Sequence, residues 1–123
     1  MINIFIVDDD QSLQRLYTLI LKDAGFIIID TALNGKIAVE KFKKFKVSPD
    51  IILMDHRMPI KNGIDAMIEI LQINNNEKII FASADITIKE KALSLGASAF
   101  LDKPFNMSKL MSAIRNIAQK IAV

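Results

Sequence analysis

Apolar runs at residues 4–7, 26–29, 51–54, 78–82 and 97–101 each stop at polar or turn-forming positions. Short runs bounded in this way read as strands buried on both faces. Between them the apolar spacing changes to steps of three and four, the mark of amphipathic helices. Leu13, Leu16, Tyr17, Ile20, Leu21 and Ala24 form the first such face, with Asp10 as its N-cap and Gly25 as its stop. A second, opened by Asn34-Gly35, turns Ala38, Phe42 and Phe45 inward and leaves Lys41, Lys43 and Lys44 to solvent. Ile64, Met67, Ile70 and Leu71 give a third, ended by Asn74-Asn75-Asn76. A fourth runs over residues 86–95 to Gly96, and the last buries Leu110, Ile114, Ile117 and Ile121.

Five strands alternating with five helices imply right-handed crossovers and a parallel sheet covered on both faces. The expected class is α/β, a flavodoxin-like doubly wound (βα)5 sandwich with strand order 2-1-3-4-5. No linker or repeat divides the chain, so residues 1–123 are expected to form one domain. In that order strands 1 and 3 lie side by side, and their C-terminal ends meet where ligands bind in open α/β sheets. The chain places Asp8 and Asp9 at one of these ends and Asp55 at the other.

Composition narrows the chemistry. Cysteine is absent, which removes disulfides, thiolate metal sites and cysteine nucleophiles. The net charge of +2, from 16 basic and 14 acidic residues, gives no reason to expect direct nucleic-acid or membrane binding. With no apolar run of spanning length and no signal-peptide pattern, a cytoplasmic protein is expected. Hydrophobic residues make up 51% of the chain and aromatic ones only 7%, so the core must be largely aliphatic.

Carboxylates crowded at one sheet edge repel unless a cation joins them. Mg²⁺ suits such a site, because it takes one or two carboxylates and completes its shell with water and phosphate oxygen. The fourth and fifth runs bring Ser83 and Lys103 to the same edge. A hydroxyl, an ammonium and an acidic metal site suit phosphoryl transfer, with Asp55 as the acid that could attack and form an acyl phosphate.

These residues, Val7-Asp8-Asp9, Met54-Asp55 with Met58-Pro59 and Gly63, Ser83-Ala84, and Lys103-Pro104-Phe105, closely resemble the receiver domains of two-component response regulators. The resemblance spans nearly the whole chain. It implies a phosphorylation-dependent switch in which Asp55 accepts a phosphoryl group from a phosphohistidine on a sensor histidine kinase or histidine phosphotransfer protein. It also implies Asp9, Asp55 and the backbone carbonyl of Arg57 as Mg²⁺ ligands, with Asp8 acting through water. Ser83 is then the switching hydroxyl, Lys103 the cation paired with the phosphoryl group, and Phe100 the rotating aromatic, where many relatives carry tyrosine. Catalysis would be confined to the chain's own phosphorylation and dephosphorylation. Output would pass to an effector protein or a C-terminal output domain outside this chain, or through a homodimer formed on activation. Lys89, Lys91, Phe100, Lys109 and Arg115 are the expected output surface; Gln11, Gln14 and Arg15 are the expected exposed donor surface beside Pro104.

Other readings fare worse. An aspartyl-phosphate phosphatase acting on a diffusible substrate wants a second acid two residues past the nucleophile, and Arg57 stands there. A flavin or nucleotide module wants a glycine-rich loop after the first strand, where this chain has Asp8-Asp9-Asp10. His56, the one histidine, is expected to be a loop residue directed away from Asp55. Arg57 and Asp85, each two residues past a pocket residue, are expected to rim the pocket, either pairing across its mouth and slowing water's attack on the acyl phosphate or standing as two independent solvated charges.

Overall fold

A computed structural model describes residues 1–121; positions 122 and 123 of the expected domain lie outside the described residues. The strands are β1 (Asn3–Val7), β2 (Ile27–Ala32), β3 (Ile51–Asp55), β4 (Lys78–Ser83) and β5 (Ala99–Asp102). The helices are α1 (Gln11–Asp23), α2 (Gly35–Lys44), α3 (Gly63–Ile73), α4 (Lys89–Leu95) and α5 (Met107–Ile121). All strand pairs are parallel and the order is β2-β1-β3-β4-β5. Class, alternation and order agree with the sequence reading.

The two faces of the sheet divide the core by simple alternation. Phe5, Val7, Ile52, Met54, Ile79 and Phe81 pack with Ala38, Val39 and Phe42 of α2, Ile64, Met67 and Ile70 of α3, and Ala92 of α4. Ile4, Ile6, Ile51, Leu53, Ile80 and Ala82 pack with Tyr17 and Leu21 of α1 and Leu110, Ile114 and Ile117 of α5. Asp8 and Asp55 continue the second phase, each one step beyond the paired Val7 and Met54. The rhythm that buries the isoleucines therefore carries both carboxylates to the same face, at the same height.

Asp10 caps α1 through side-chain bonds from the backbone N–H groups of Ser12 and Leu13, at 2.9 and 3.2 Å. Asn34 and Asn62 cap α2 and α3 in the same manner, accepting from the Ile37 and Asp65 N–H groups. Boundaries differ from the sequence reading where local chemistry competes with periodicity. β2 runs on through Asp30 and Thr31 because, at the sheet edge, Asp30 can pair with Lys41 of α2 at 2.9 Å. Residues 86–88 form a 3₁₀ turn rather than the first turn of α4: Asp85 caps it at Thr87, and β-branched Ile86-Thr87-Ile88 disfavours the wider helix. Phe45 lies just past α2, yet its ring meets Phe5 edge-on at 5.1 Å and stays with the core.

Candidate functional site

The ends of β1 and β3 bring ligand atoms of Asp8, Asp9 and Asp55 within 4.8 Å of one another. Asp8 and Asp55 are buried, and Asp9 is exposed at the mouth. Asp8 is held from below, its Oδ1 accepting from the Asp10 N–H at 2.9 Å. Asp55 Oδ1 accepts from the His56 N–H at 2.9 Å, which fixes the carboxylate as it leaves the strand.

Lys103 reaches this cluster from the end of β5. Its Nζ lies 3.1 Å from Asp8 Oδ2 and 3.4 Å from Asp55 Oδ1, with only 19% of its side chain exposed. Its backbone N–H is anchored on the Ser83 carbonyl at 2.9 Å, and the Lys103–Pro104 peptide is cis. Burial opposes the ammonium, but the Asp8 and Asp55 charges outweigh it and hold the Lys103 pKa above its ordinary value. Asp55 is pushed up to about 6, chiefly by burial, with Lys103 opposing and Asp8 reinforcing the shift. One ammonium thus shared leaves the acidic pocket short of positive charge.

Ser83 ends β4 one step beyond Ala82, the partner of Asp55, and is 1% exposed. Its Oγ accepts from the Asp85 N–H at 3.0 Å. Asp85 Oδ2 stands 3.7 Å from the Arg57 guanidinium, so the pair across the mouth forms. His56 is half-buried, its ring tilted against Phe81, with Nδ1 placed 3.4 Å from the Ile64 N–H at the start of α3. The histidine thus supports the loop rather than facing bulk solvent. Burial lowers its pKa, with Arg57 and Lys91 assisting against Asp85 and Asp65.

The loop between β3 and α3 closes by backbone contact. The Gly63 N–H donates to the His56 carbonyl at 2.9 Å, and a Cβ on Gly63 would lie 2.1 Å from the Asp55 carbonyl oxygen. The Gly35 N–H donates to the Lys61 carbonyl at 3.0 Å, fastening the same loop to the start of α2.

One expected surface residue is elsewhere. Gln14 is buried, not exposed: its Nε2 donates to the Asp8 and Ala32 carbonyls, both at 2.7 Å. The Ala32 carbonyl also accepts the Asp8 N–H at 3.0 Å, so the amide adds a second bond there and ties the ends of β1 and β2 together. The signal was present in the spacing, since Gln14, Tyr17 and Leu21 share one helical stripe. Gln11 and Arg15 are exposed as expected, as are Lys89, Lys91, Lys109 and Arg115. Phe100 is half-buried against the core on the α4 side. The carboxylate set, all hard oxygen donors around one gap, fits a small divalent cation.

Comparison with known proteins agrees with this geometry. The response regulator receiver domain family model matches residues 4–115. A chemotaxis protein CheY of Thermotoga maritima is 39% identical over 118 residues, covering 94% of this chain and 97% of its own. CheY of Bacillus subtilis is 39% identical over 113 residues, covering 90% and 92%. Among solved structures, the CheX-CheY-BeF3-Mg complex of Borrelia burgdorferi superposes with a TM-score of 0.89 at 32% identity, covering 94% of this chain and 88% of that one. The T. maritima response regulator TrrA with Mg(2+)-BeF gives 0.85 at 30%, covering 95% and 99%. With acid cluster, hydroxyl and lysine at the ends of β1, β3, β4 and β5, the chain belongs to the response regulator receiver domain family.

Proposed function

We propose that the chain is a phosphorylation-dependent switch that takes a phosphoryl group from a phosphohistidine partner onto Asp55 and signals through an altered surface. The observation that carries this reading is Asp55 at a strand end, buried, beside two further acids and bonded to Lys103. Asp55 Oδ1 is engaged by His56 and Lys103, and no hydrogen bond falls on Oδ2 among the described residues. Oδ2 is the oxygen left to attack. As its bond to phosphorus forms, the donor's N–P bond breaks and the electron pair stays on the imidazole nitrogen.

Asp9, Asp55 and the Arg57 carbonyl would hold Mg²⁺, with Asp8 reaching it through water. Bound there, the ion would offset the carboxylate charge and that of the equatorial phosphoryl oxygens. Lys103 then exchanges its bond to Asp55 for one to the new dianion, and the Ser83 hydroxyl turns toward the phosphoryl group. The vacated space admits Phe100, and the change would be read at the exposed Lys89, Lys91, Lys109 and Arg115, by an effector, an attached output domain or a second copy. The relatives' complexes with Mg and BeF3 support the metal and the anion site in those proteins.

The donor needs a landing surface. An apolar groove of about 320 Å³, lined by Leu13, Leu16, Tyr17, Pro104, Phe105 and Met107, opens beside Lys103. With Gln11 and Arg15 exposed nearby, it suits a helical donor that presents its phosphohistidine to the pocket. The experiment is incubation with acetyl phosphate and Mg²⁺ followed by intact mass. The wild type gains one phosphoryl group and Asp55→Asn does not; an adduct on both proteins would overturn the assignment.

A further inference from the structure

At the opposite pole of the sheet, away from Asp55, lies a buried acid that the phosphoryl chemistry does not use. Glu77 precedes β4 and is 5% exposed. Its Oε2 accepts one bond, from the Lys78 N–H at 3.2 Å, and its Oε1 has no partner among the described residues. A buried carboxylate with an unsatisfied oxygen is costly, whereas the neutral acid sheds most of that cost.

Two charges act on Glu77 besides its own burial. Asp50, from the turn leading into β3, disfavours a second negative charge, and Lys78 favours it. Asp50 is itself committed, accepting the Asn3 N–H at 2.8 Å where β1 begins. The acid therefore sits at the pole where β1, β3 and β4, the three central strands, begin. Lys78, the first residue of β4, makes no ion pair with Glu77 within 4.0 Å among the described residues.

We infer that Glu77 is a proton-linked latch: the folded chain holds it as a neutral acid, and its ionisation loosens the pole where the central strands start. Burial pushes its pKa up to about 7, which places the transition in a range a cell can visit. The sign follows from linkage. Folded Glu77 binds its proton more tightly than unfolded Glu77, so the stabilisation is complete below the unfolded value near 4.5 and is lost as pH rises through about 7.

The test is thermal and urea unfolding from pH 5 to 8.5 in the Asp55→Asn background, which removes that acid's own titration from the profile. The parent loses stability as pH rises, while Glu77→Gln shows a flatter profile and an unfolding constant at pH 8 at least roughly tenfold lower. Should Glu77→Gln fail to fold, the Glu77 carboxyl can be followed by carbon NMR in the parent, where a midpoint near 7 is expected. A midpoint near 4.5, or a pH slope unchanged by Glu77→Gln, overturns the latch.

Discussion

The Arg57 guanidinium stands 3.7 Å from the Asp85 carboxylate, joining the loop after β3 to the turn after β4 across the pocket mouth. Arg57 is largely exposed, whereas Asp85 is tied down by the Thr87 hydroxyl and N–H, which lower its pKa ahead of any effect from Arg57. The pair is therefore an exposed cation resting on a tethered anion.

Such a bridge would obstruct a water molecule approaching the acyl phosphate more than it would stabilise the fold, because exposed pairs contribute little to stability. Arg57→Ala should shorten the phosphoryl half-life severalfold and leave the melting temperature nearly unchanged. Asp85→Ala is a poorer probe, since it also removes the cap of the 3₁₀ turn. Dephosphorylation followed by intact mass after rapid removal of acetyl phosphate measures it, and an unchanged half-life removes the lid role from this pair.

Asp55 gives a pH dependence whose sign can be stated. Its folded pKa of about 6 exceeds the ordinary 3.8, so in the metal-free protein its contribution is fully present below about 3.8 and lost as pH rises through 6. Asp55→Asn should therefore stabilise the metal-free chain at pH 7 to 8 by up to about 3 kcal/mol, with the advantage shrinking toward pH 4. Excess Mg²⁺ should narrow or reverse the difference by stabilising only the wild type. Urea unfolding with and without Mg²⁺ measures both arms. A wild type more stable than Asp55→Asn in EDTA at pH 8 would contradict the shift.

These acids could be placed from the sequence because a parallel sheet leaves few options. Once five apolar runs alternate with helices, strand order fixes that β1 and β3 are neighbours, and residue parity fixes that Asp8 and Asp55 share a face. The inward direction of Gln14 is legible in its stripe with Tyr17 and Leu21, but the reason for an amide there is not: it serves the Asp8 and Ala32 carbonyls, a tertiary demand outside α1. Arg57 and Asp85 were legible from spacing alone, each two residues beyond a strand end.

The loop after Asp55 contains a conformation no pattern announced. Ile60 has φ 72°, and the Lys61 N–H donates to the Pro59 carbonyl at 2.8 Å across it. A three-residue turn centred on positive φ is rare and strained, more so for a β-branched residue. The side chain is 76% exposed, so burial returns nothing. Ile60→Asn, which tolerates positive φ, should raise stability by about 1 kcal/mol with phosphorylation by acetyl phosphate intact. Chemical denaturation reads this directly, and a loss of stability would mean that the isoleucine makes a contact worth more than the strain.

Gly63 shows the opposite intolerance. Its φ is ordinary, but a Cβ there would sit 2.1 Å from the Asp55 carbonyl oxygen and 3.0 Å from His56 Cα, both backbone atoms that cannot swing aside. Gly25, at φ 96°, has nothing within 4 Å of its Cβ position. Alanine at Gly25 therefore meets only a conformational penalty, about 1 kcal/mol. Alanine at Gly63 must push the loop away from β3, break the bond to the His56 carbonyl and shift the segment carrying Arg57. The expected cost is about 3 kcal/mol or more, together with a large fall in Mg²⁺-dependent labelling of Asp55. Comparing the two variants by urea unfolding and acetyl phosphate labelling separates close approach from backbone strain. Equal losses in both would mean that the contact between Gly63 and Asp55 does not hold the site together.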